Sequence, residues 1–264
     1  GGWVGFRNEI TRYIDRNQTL IVLTNGTEAS AMYLAKRIWE DKAITLPVTH
    51  LITNVNVIDG TGLAAFPASV RIVDDRIRDI GPLTPFVNEE VTDGQGKILA
   101  PGFIDSHSHH GSGLDDDPSA LAATSQGITT IVIGQDGSSD PIDSIRASIQ
   151  RHPVSINLAT YTGQSTLREA AMKDDVLRKA TVAEIDSMKV VLARELDNGS
   201  LGLSTGLEYE AAFYSSPEEV VELAKVAAEK GGRYISHIRS EDVSLDEAIA
   251  ETIEIGRQAD IPVQ

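Results

Sequence analysis

Apolar positions along this chain change their spacing more than once, and each change marks a different kind of structure. Residues 9–14 and 19–24 are rich in β-branched and aromatic side chains, and Asp15-Arg16-Asn17-Gln18 supplies turn chemistry between them. A hairpin is predicted there. Met32, Ala35, Ile38 and Trp39 then recur at helical spacing, so residues 28–39 read as a helix. A strand, a strand and a helix have no core of their own, so this opening segment is expected to pack on something outside the chain. After Pro47 come the short β stretches 51–58 and 69–73, separated by Asp59-Gly60-Thr61-Gly62 and followed by an Asp74-Asp75 turn. They predict a small sheet.

From Ile98 onward the texture becomes regular. Near-continuous apolar runs at 99–106, 129–134, 154–160, 201–204 and 234–237 alternate with helical patterns near 118–126, 142–151, 182–196, 217–229 and 246–257, and a further run opens at Ile261. Strands that are apolar on both faces, separated by helices of about three turns, imply parallel strands covered by helices, hence an α/β fold. Five strands and the beginning of a sixth would suffice for a doubly wound sheet; a closed (β/α)₈ barrel needs more, so a barrel here would be partial. The expected division is 1–42, a linker at 43–48, a β segment at 49–98 and the helix-alternating part at 99–264.

Charge removes some classes of function. With 23 Lys and Arg against 39 Asp and Glu the net charge is -16, which repels phosphate backbones and anionic membrane surfaces. Nucleic-acid and membrane partners are not expected. No apolar run approaches the roughly 18 residues of a membrane span. The chain has no cysteine, so any metal must be held by imidazole and carboxylate. Gly1-Gly2-Trp3 offers neither an initiator Met nor a basic leader, and the natural N-terminus is expected upstream.

Chemistry collects where strands end. In Asp105-Ser106-His107-Ser108-His109-His110, His107 and His109 stand at i and i+2 and can present two imidazoles to one ion, while His110 falls on the other face. Asp136, in Gly134-Gln135-Asp136-Gly137, follows the next strand; alone, Asp-Gly reads as a turn. His237 ends the fifth strand, with Arg239 and Glu241 close behind it, and a lone strand histidine is as readily a core residue. Their coincidence is the signal, because parallel barrels gather catalytic groups at the C-terminal ends of strands. His50 and His152 lie elsewhere.

Several stretches together resemble the amidohydrolase superfamily over residues 50–264. Asn54 to Gly62, Leu99 to Asp105 and the HxH pair are similar to its N-terminal sheet running into barrel strand one. Ser125 to Gly134, Ser165-Thr166-Leu167-Arg168, Gly202 to Tyr209 and Ser236-His237-Ile238-Arg239 narrow the resemblance to the D-aminoacylase and N-acyl-D-amino-acid deacylase branch. That resemblance implies a metal-dependent hydrolase of C–N amide bonds, with one or two Zn ions and a small-molecule N-acyl amino acid substrate. It implies His107 and His109 as paired metal ligands, Asp136 in the strand-two ligand position, His237 as strand-five ligand, and Tyr209 and Arg239 as substrate contacts.

Two positions depart from the branch, which usually has cysteine where Asp136 stands and Gly-His where Gly163-Gln164 stands. The family also continues past the position of Gln264 to a further histidine and to an aspartate general base, so this chain is expected to hold only the first half of that apparatus and to be inactive alone. Within the superfamily, a dipeptidase-like enzyme would carry a lysine at the end of strand four, where Ser204-Thr205-Gly206 stands. A catalytically silent interaction module is the remaining alternative. Residues 1–42 resemble the C-terminal end of a serine β-lactamase or penicillin-binding-type hydrolase, which would imply an upstream domain and an extracytoplasmic location.

Overall fold

Short antiparallel strands begin the chain: β1 (Gly2–Trp3) pairs with β2 (Phe6–Tyr13), and β2 pairs with β3 (Gln18–Thr24) from Arg7 opposite Thr24 to Tyr13 opposite Gln18. These strands and residues 48–264 are what the computed structural model describes. The hairpin lies where the sequence puts it; most of its turn and the 28–39 helix lie outside the described residues. By its contacts the chain divides into two units, residues 1–101 and 102–264.

In the first unit, β4 (Thr49–Val57) is central to a second sheet. It pairs antiparallel with β5 (Phe66–Val73), which pairs with β6 (Arg76–Gly81), and parallel with β7 (Glu90–Asp93) and β8 (Ile98–Leu99). Leu51, Val55 and Val57 are buried from β4, and the register slips between Ile52 and Val55, where Asn54 takes a left-handed conformation. Arg71 is held bidentate by Glu89 and lies over the Phe86 ring.

The expected strand over 99–106 is two strands. Leu99 belongs to β8 on β4, whereas β9 (Phe103–Asp105) pairs with β10 (Ile128–Ile133) in the second unit. Pro101 has no N–H to continue a ladder, and a side chain at Gly102 would overlap Thr129, at the residue where the β9–β10 register slips.

The second unit carries parallel strands. β9, β10 and β11 (Asn157–Thr160) pair in order, as do β12 (Thr162–Gly163), β13 (Gly202–Gly206) and β14 (Arg233–His237). Leu201 N–H bonds Thr160 C=O at 2.9 Å, joining the two sets, and Val263 bridges Tyr234 in parallel at the far side. The helices are α1 (Leu121–Thr124), α2 (Ile142–Arg151), α3 (Gln164–Met172), α4 (Val182–Asp197), α5 (Glu210–Phe213), α6 (Pro217–Glu229) and α7 (Leu245–Ala259). The predicted 118–126 helix is thus one short turn. Leu167, Met188, Leu192, Leu203, Leu223 and Ile255 form the main core between helices and strands.

Helix α4 starts on a capping box: Thr181 Oγ1 accepts from Glu184 N–H, and the Glu184 carboxylate accepts from Thr181 N–H at 2.7 Å. Thr181→Ala should cost about 1 kcal/mol of stability in a denaturant titration. Arg178 first, then Thr181, pull the Glu184 carboxyl from 4.5 down to about 2. A depressed native pKa stabilises above the ordinary value and is lost as pH falls toward about 2, so Glu184→Gln should flatten acid unfolding in that window.

Candidate metal centre

The strand ends of the second unit are built to hold loops close to the sheet. Beyond β9 the chain keeps its hold on β10, because Ser108 N–H bonds Val132 C=O at 2.9 Å and Ser106 C=O accepts from Gln135 Nε2 at 3.1 Å. Ser108 is buried while His107 and His109 are exposed, so alternation puts both imidazoles on one side, as the i, i+2 spacing requires. Both lie in the loop just past the strand rather than on it. His110 turns away into a 3₁₀ turn and meets Ser108 Oγ at 3.2 Å through Nδ1.

The third member comes from the turn after β10. Asp136 adopts φ 55°, a left-handed conformation uncommon outside glycine, and strain of this kind concentrates at functional sites. Ser204 on β13 fixes it: its hydroxyl donates to Gly134 C=O at 2.6 Å and accepts from Gly137 N–H at 3.3 Å. A side chain at Gly206 would overlap the Asp136 carbonyl, so glycine there lets the turn close on β13.

Asp136 therefore faces the histidine pair. Its carboxylate oxygens lie 3.6 Å from His107 Nε2 and 3.0 Å from His109 Nε2. Donors about 2.0–2.2 Å from one tetrahedral zinc stand roughly 3.3–3.6 Å apart, so this set of two imidazoles and a carboxylate fits such an ion. The three donor atoms lie within 4.8 Å of one another.

His237 joins a different group. Its Nε2 faces Glu208 at 2.9 Å and Glu241 at 3.8 Å, and its Nδ1 meets Tyr209 Oη at 3.2 Å, with the two rings 4.7 Å apart. Glu208, His237 and Glu241 form a second three-donor cluster. The four expected ligands are thus divided, three and one. Tyr209 meets His237 and also lines the cavity that Asp136 and His109 line, and burial first, then the charges of Asp136, Glu241 and Glu208, push its phenol above the usual value. It remains a neutral donor at neutral pH.

Arg239 is engaged elsewhere. It holds Glu251 with two bonds of 2.8 Å and donates to Phe213 C=O at 2.7 Å, lining a hollow between α6 and α7. His50 bonds Thr92 within the first unit, and His152 closes α2 at the edge of the cavity beside His109 and Asp136. Sequence reasoning missed Glu208 and Ser204 as parts of the site, although both lie at the C-terminal end of a parallel strand, the place that singled out the others.

No protein-family model matches the chain. It is 32% identical over 245 residues to a D-aminoacylase of Alcaligenes xylosoxydans xylosoxydans, a match covering 82% of this chain and 50% of that protein. It is 33% identical over 225 residues to an N-acyl-D-glutamate deacylase of the same organism, covering 76% of this chain and 46% of that protein. A solved N-acyl-D-glutamate deacylase of Bordetella bronchiseptica superposes with a TM-score of 0.77 at 34% identity, over 81% of this chain and 50% of that one. Over most of its length the chain is similar to the D-aminoacylase branch of the amidohydrolase superfamily. Its α/β fold is similar to the TIM-barrel domain of those amidohydrolases. The Bordetella amidohydrolase was crystallised with zinc and a phosphonate mimic of the tetrahedral intermediate, and a D-aminoacylase is described with a binuclear metal centre. The chain spans about half the length of the amidohydrolases it matches. None of these matches supports the β-lactamase-like resemblance of residues 1–42.

Proposed function

We propose that this chain carries metal-binding machinery of an N-acyl-D-amino-acid deacylase, a hydrolase of C–N amide bonds acting on a small N-acylated D-amino acid. The observation that carries this reading is the convergence of His107, His109 and Asp136 in the strand-end position that suits zinc, in a chain whose homologues are deacylases. The parallel strands β9 to β14, with the start of another at Val263, are proposed to be the first strands of a (β/α)₈ barrel.

In this reading His107, His109 and Asp136 hold one zinc ion, and His237 with Glu208 and Glu241 offers donors for a second. Zinc supplies Lewis-acid polarisation of the scissile carbonyl and an acidified water. The remaining work falls to the protein. Ser204 and Gly206 hold Asp136 in its strained turn, so the carboxylate is oriented before substrate arrives. Tyr209, kept protonated, donates a hydrogen bond toward oxygen on which negative charge develops, and its contact with His237 fixes the ring. We assign no general base within the chain, and the role of Arg239 as a substrate contact would require it to leave Glu251.

The test is binding of N-acetyl-D-amino acids to the zinc-loaded chain, because turnover by this chain alone is not expected. Binding of the D-enantiomer that a chelator abolishes and zinc restores supports the reading. Binding indifferent to the chelator, equal binding of the L-enantiomer, or no binding at all contradicts it.

A further inference from the structure

The cavity that His109, Asp136 and Tyr209 share is larger than a small acylated amino acid needs. It measures about 1120 Å³, whereas pockets that enclose whole drug-sized ligands run from roughly 300 to 1,000 Å³. An N-acetyl amino acid would leave much of it empty. The space continues along α2, where Ile145 and Ile149, one helical turn apart, line it. Ile142, Ile145 and Ile149 form one stripe of that helix, while Asp143, Arg146 and Gln150 are exposed on the other side. Ile142 is buried, but Ile145 and Ile149 are only partly so. The apolar stripe of α2 thus faces a hollow over its last two members.

The sheet supplies more of the same lining. Ile133 at the end of β10, with Val154 and Leu158 from the chain entering and forming β11, lines the cavity, and all three pack on the Ile131 and Ile156 core while remaining partly exposed. Apolar surface left facing water is unfavourable, and a hydrocarbon ligand would cover it. The other end of the cavity is fixed by chemistry, because a deacylase substrate places its scissile amide at the metal-binding residues. Two arms leave that amide: an amino acid that carries a carboxylate, and an acyl chain that carries no charge. The positive charge of a bound metal acts at the His109 and Asp136 end. Along the rest no Lys or Arg lines the cavity, so a carboxylate there would lose hydration without a counter-charge, whereas an alkyl chain suits the isoleucine and leucine wall.

We infer that this cavity receives the acyl arm, and that the substrate is an N-acyl-D-amino acid whose acyl group is a medium-length alkyl chain, hexanoyl or longer, in preference to acetyl. This rests on the deacylase reading of the site and narrows it. Ile145 and Ile149 on α2, with Ile133 and Leu158 from the sheet, are the side chains that meet the acyl chain.

The experiment is calorimetric titration of the zinc-loaded chain with N-acetyl-, N-hexanoyl- and N-octanoyl-D-leucine. Full burial of a methylene is worth about fourfold in affinity, and the cavity is open to solvent, so about twofold per methylene is expected and the octanoyl derivative should bind roughly sixtyfold more tightly than the acetyl one. Ile149→Gln and, separately, Ile145→Gln should each pull that ratio toward one. Both positions are partly exposed and glutamine is a good helix former, so the variants should keep their circular dichroism; the series on the parent chain decides the matter even where a variant does not fold. Equal binding of all three derivatives overturns the inference, as does a ratio that ignores both substitutions. Equal binding by a chain that sediments as a dimer gives the hollow to a second copy and overturns it too. Zinc content and enantiomer separate the two readings. A zinc-loaded chain that prefers the D-enantiomer at every acyl length equally defeats this inference alone. Length-dependent binding that a chelator leaves unchanged, or that N-octanoyl-L-leucine matches, defeats the deacylase reading while the preference for an alkyl chain stands.

Discussion

Replacing Arg168 with Met should lower the stability of the second unit by about 3–5 kcal/mol, seen in urea unfolding as a lower midpoint at unchanged slope. Arg168 is fully buried and paired with Glu219, itself 1% exposed. Its other donors reach the carbonyls of Ala211, Val176 and Arg178 at 2.6, 2.8 and 2.6 Å. One guanidinium thus ties α3 to the loop before α4, to α5 and to the start of α6. Methionine can refill the volume but satisfies none of these acceptors, and it leaves the Glu219 carboxylate buried with only Gln164 donating at 2.8 Å. The double variant Arg168→Met with Glu219→Gln should recover part of the loss, because the uncompensated charge is then gone. A loss under about 1 kcal/mol would mean that water reaches the site and that the network is looser than its geometry.

The second large effect concerns Asp136. Asp136→Asn keeps the shape and removes the anionic donor, and it should weaken zinc binding by more than the about 10–100-fold that loss of an outer hydrogen-bond partner to a ligand costs. Asp136→Cys should retain zinc, since a thiolate is also an anionic ligand and cysteine is what the resembling branch carries at this position. Competition with a chromophoric chelator measures both. Zinc affinity unchanged in Asp136→Asn would remove the carboxylate from the metal set.

These two residues also mark what the sequence could and could not reveal. Helices over 142–151 and 217–229 were legible because their apolar positions keep helical spacing against an otherwise polar surface, and the α6 start is further signalled by Ser216 before Pro217. Helix α3 was not legible, because its core-facing side carries Gln164, Ser165 and Arg168. A helix that buries polar groups among its apolar ones has a broken apolar stripe, and partners distant in sequence, Glu219 and the Ala211 carbonyl among them, make that burial tolerable. The division of 99–106 between two sheets was likewise hidden, since an apolar run says nothing about which sheet each half joins.

Strand-end position singled out His107, His109, Asp136 and His237 as candidates, because a parallel sheet collects its loops at one end. It could not say how far apart neighbouring loops stand. Asp136 meets the histidines only because Ser204 and Gly206, on β13, draw its turn inward. His237 meets Glu208 and Tyr209 instead because it ends β14 while they follow the neighbouring strand β13. Those are contacts between residues distant in sequence, with no local signature.

His107, His109 and Asp136 are proposed to form a metal centre to which His237 does not contribute. Elemental analysis of zinc in the purified chain, compared with His107→Ala and His237→Ala, tests it most directly. The expected result is stoichiometric zinc in the parent chain, loss of one equivalent in His107→Ala, and that same equivalent still present in His237→Ala. Metal-free parent protein, or full retention of zinc in His107→Ala, would contradict it.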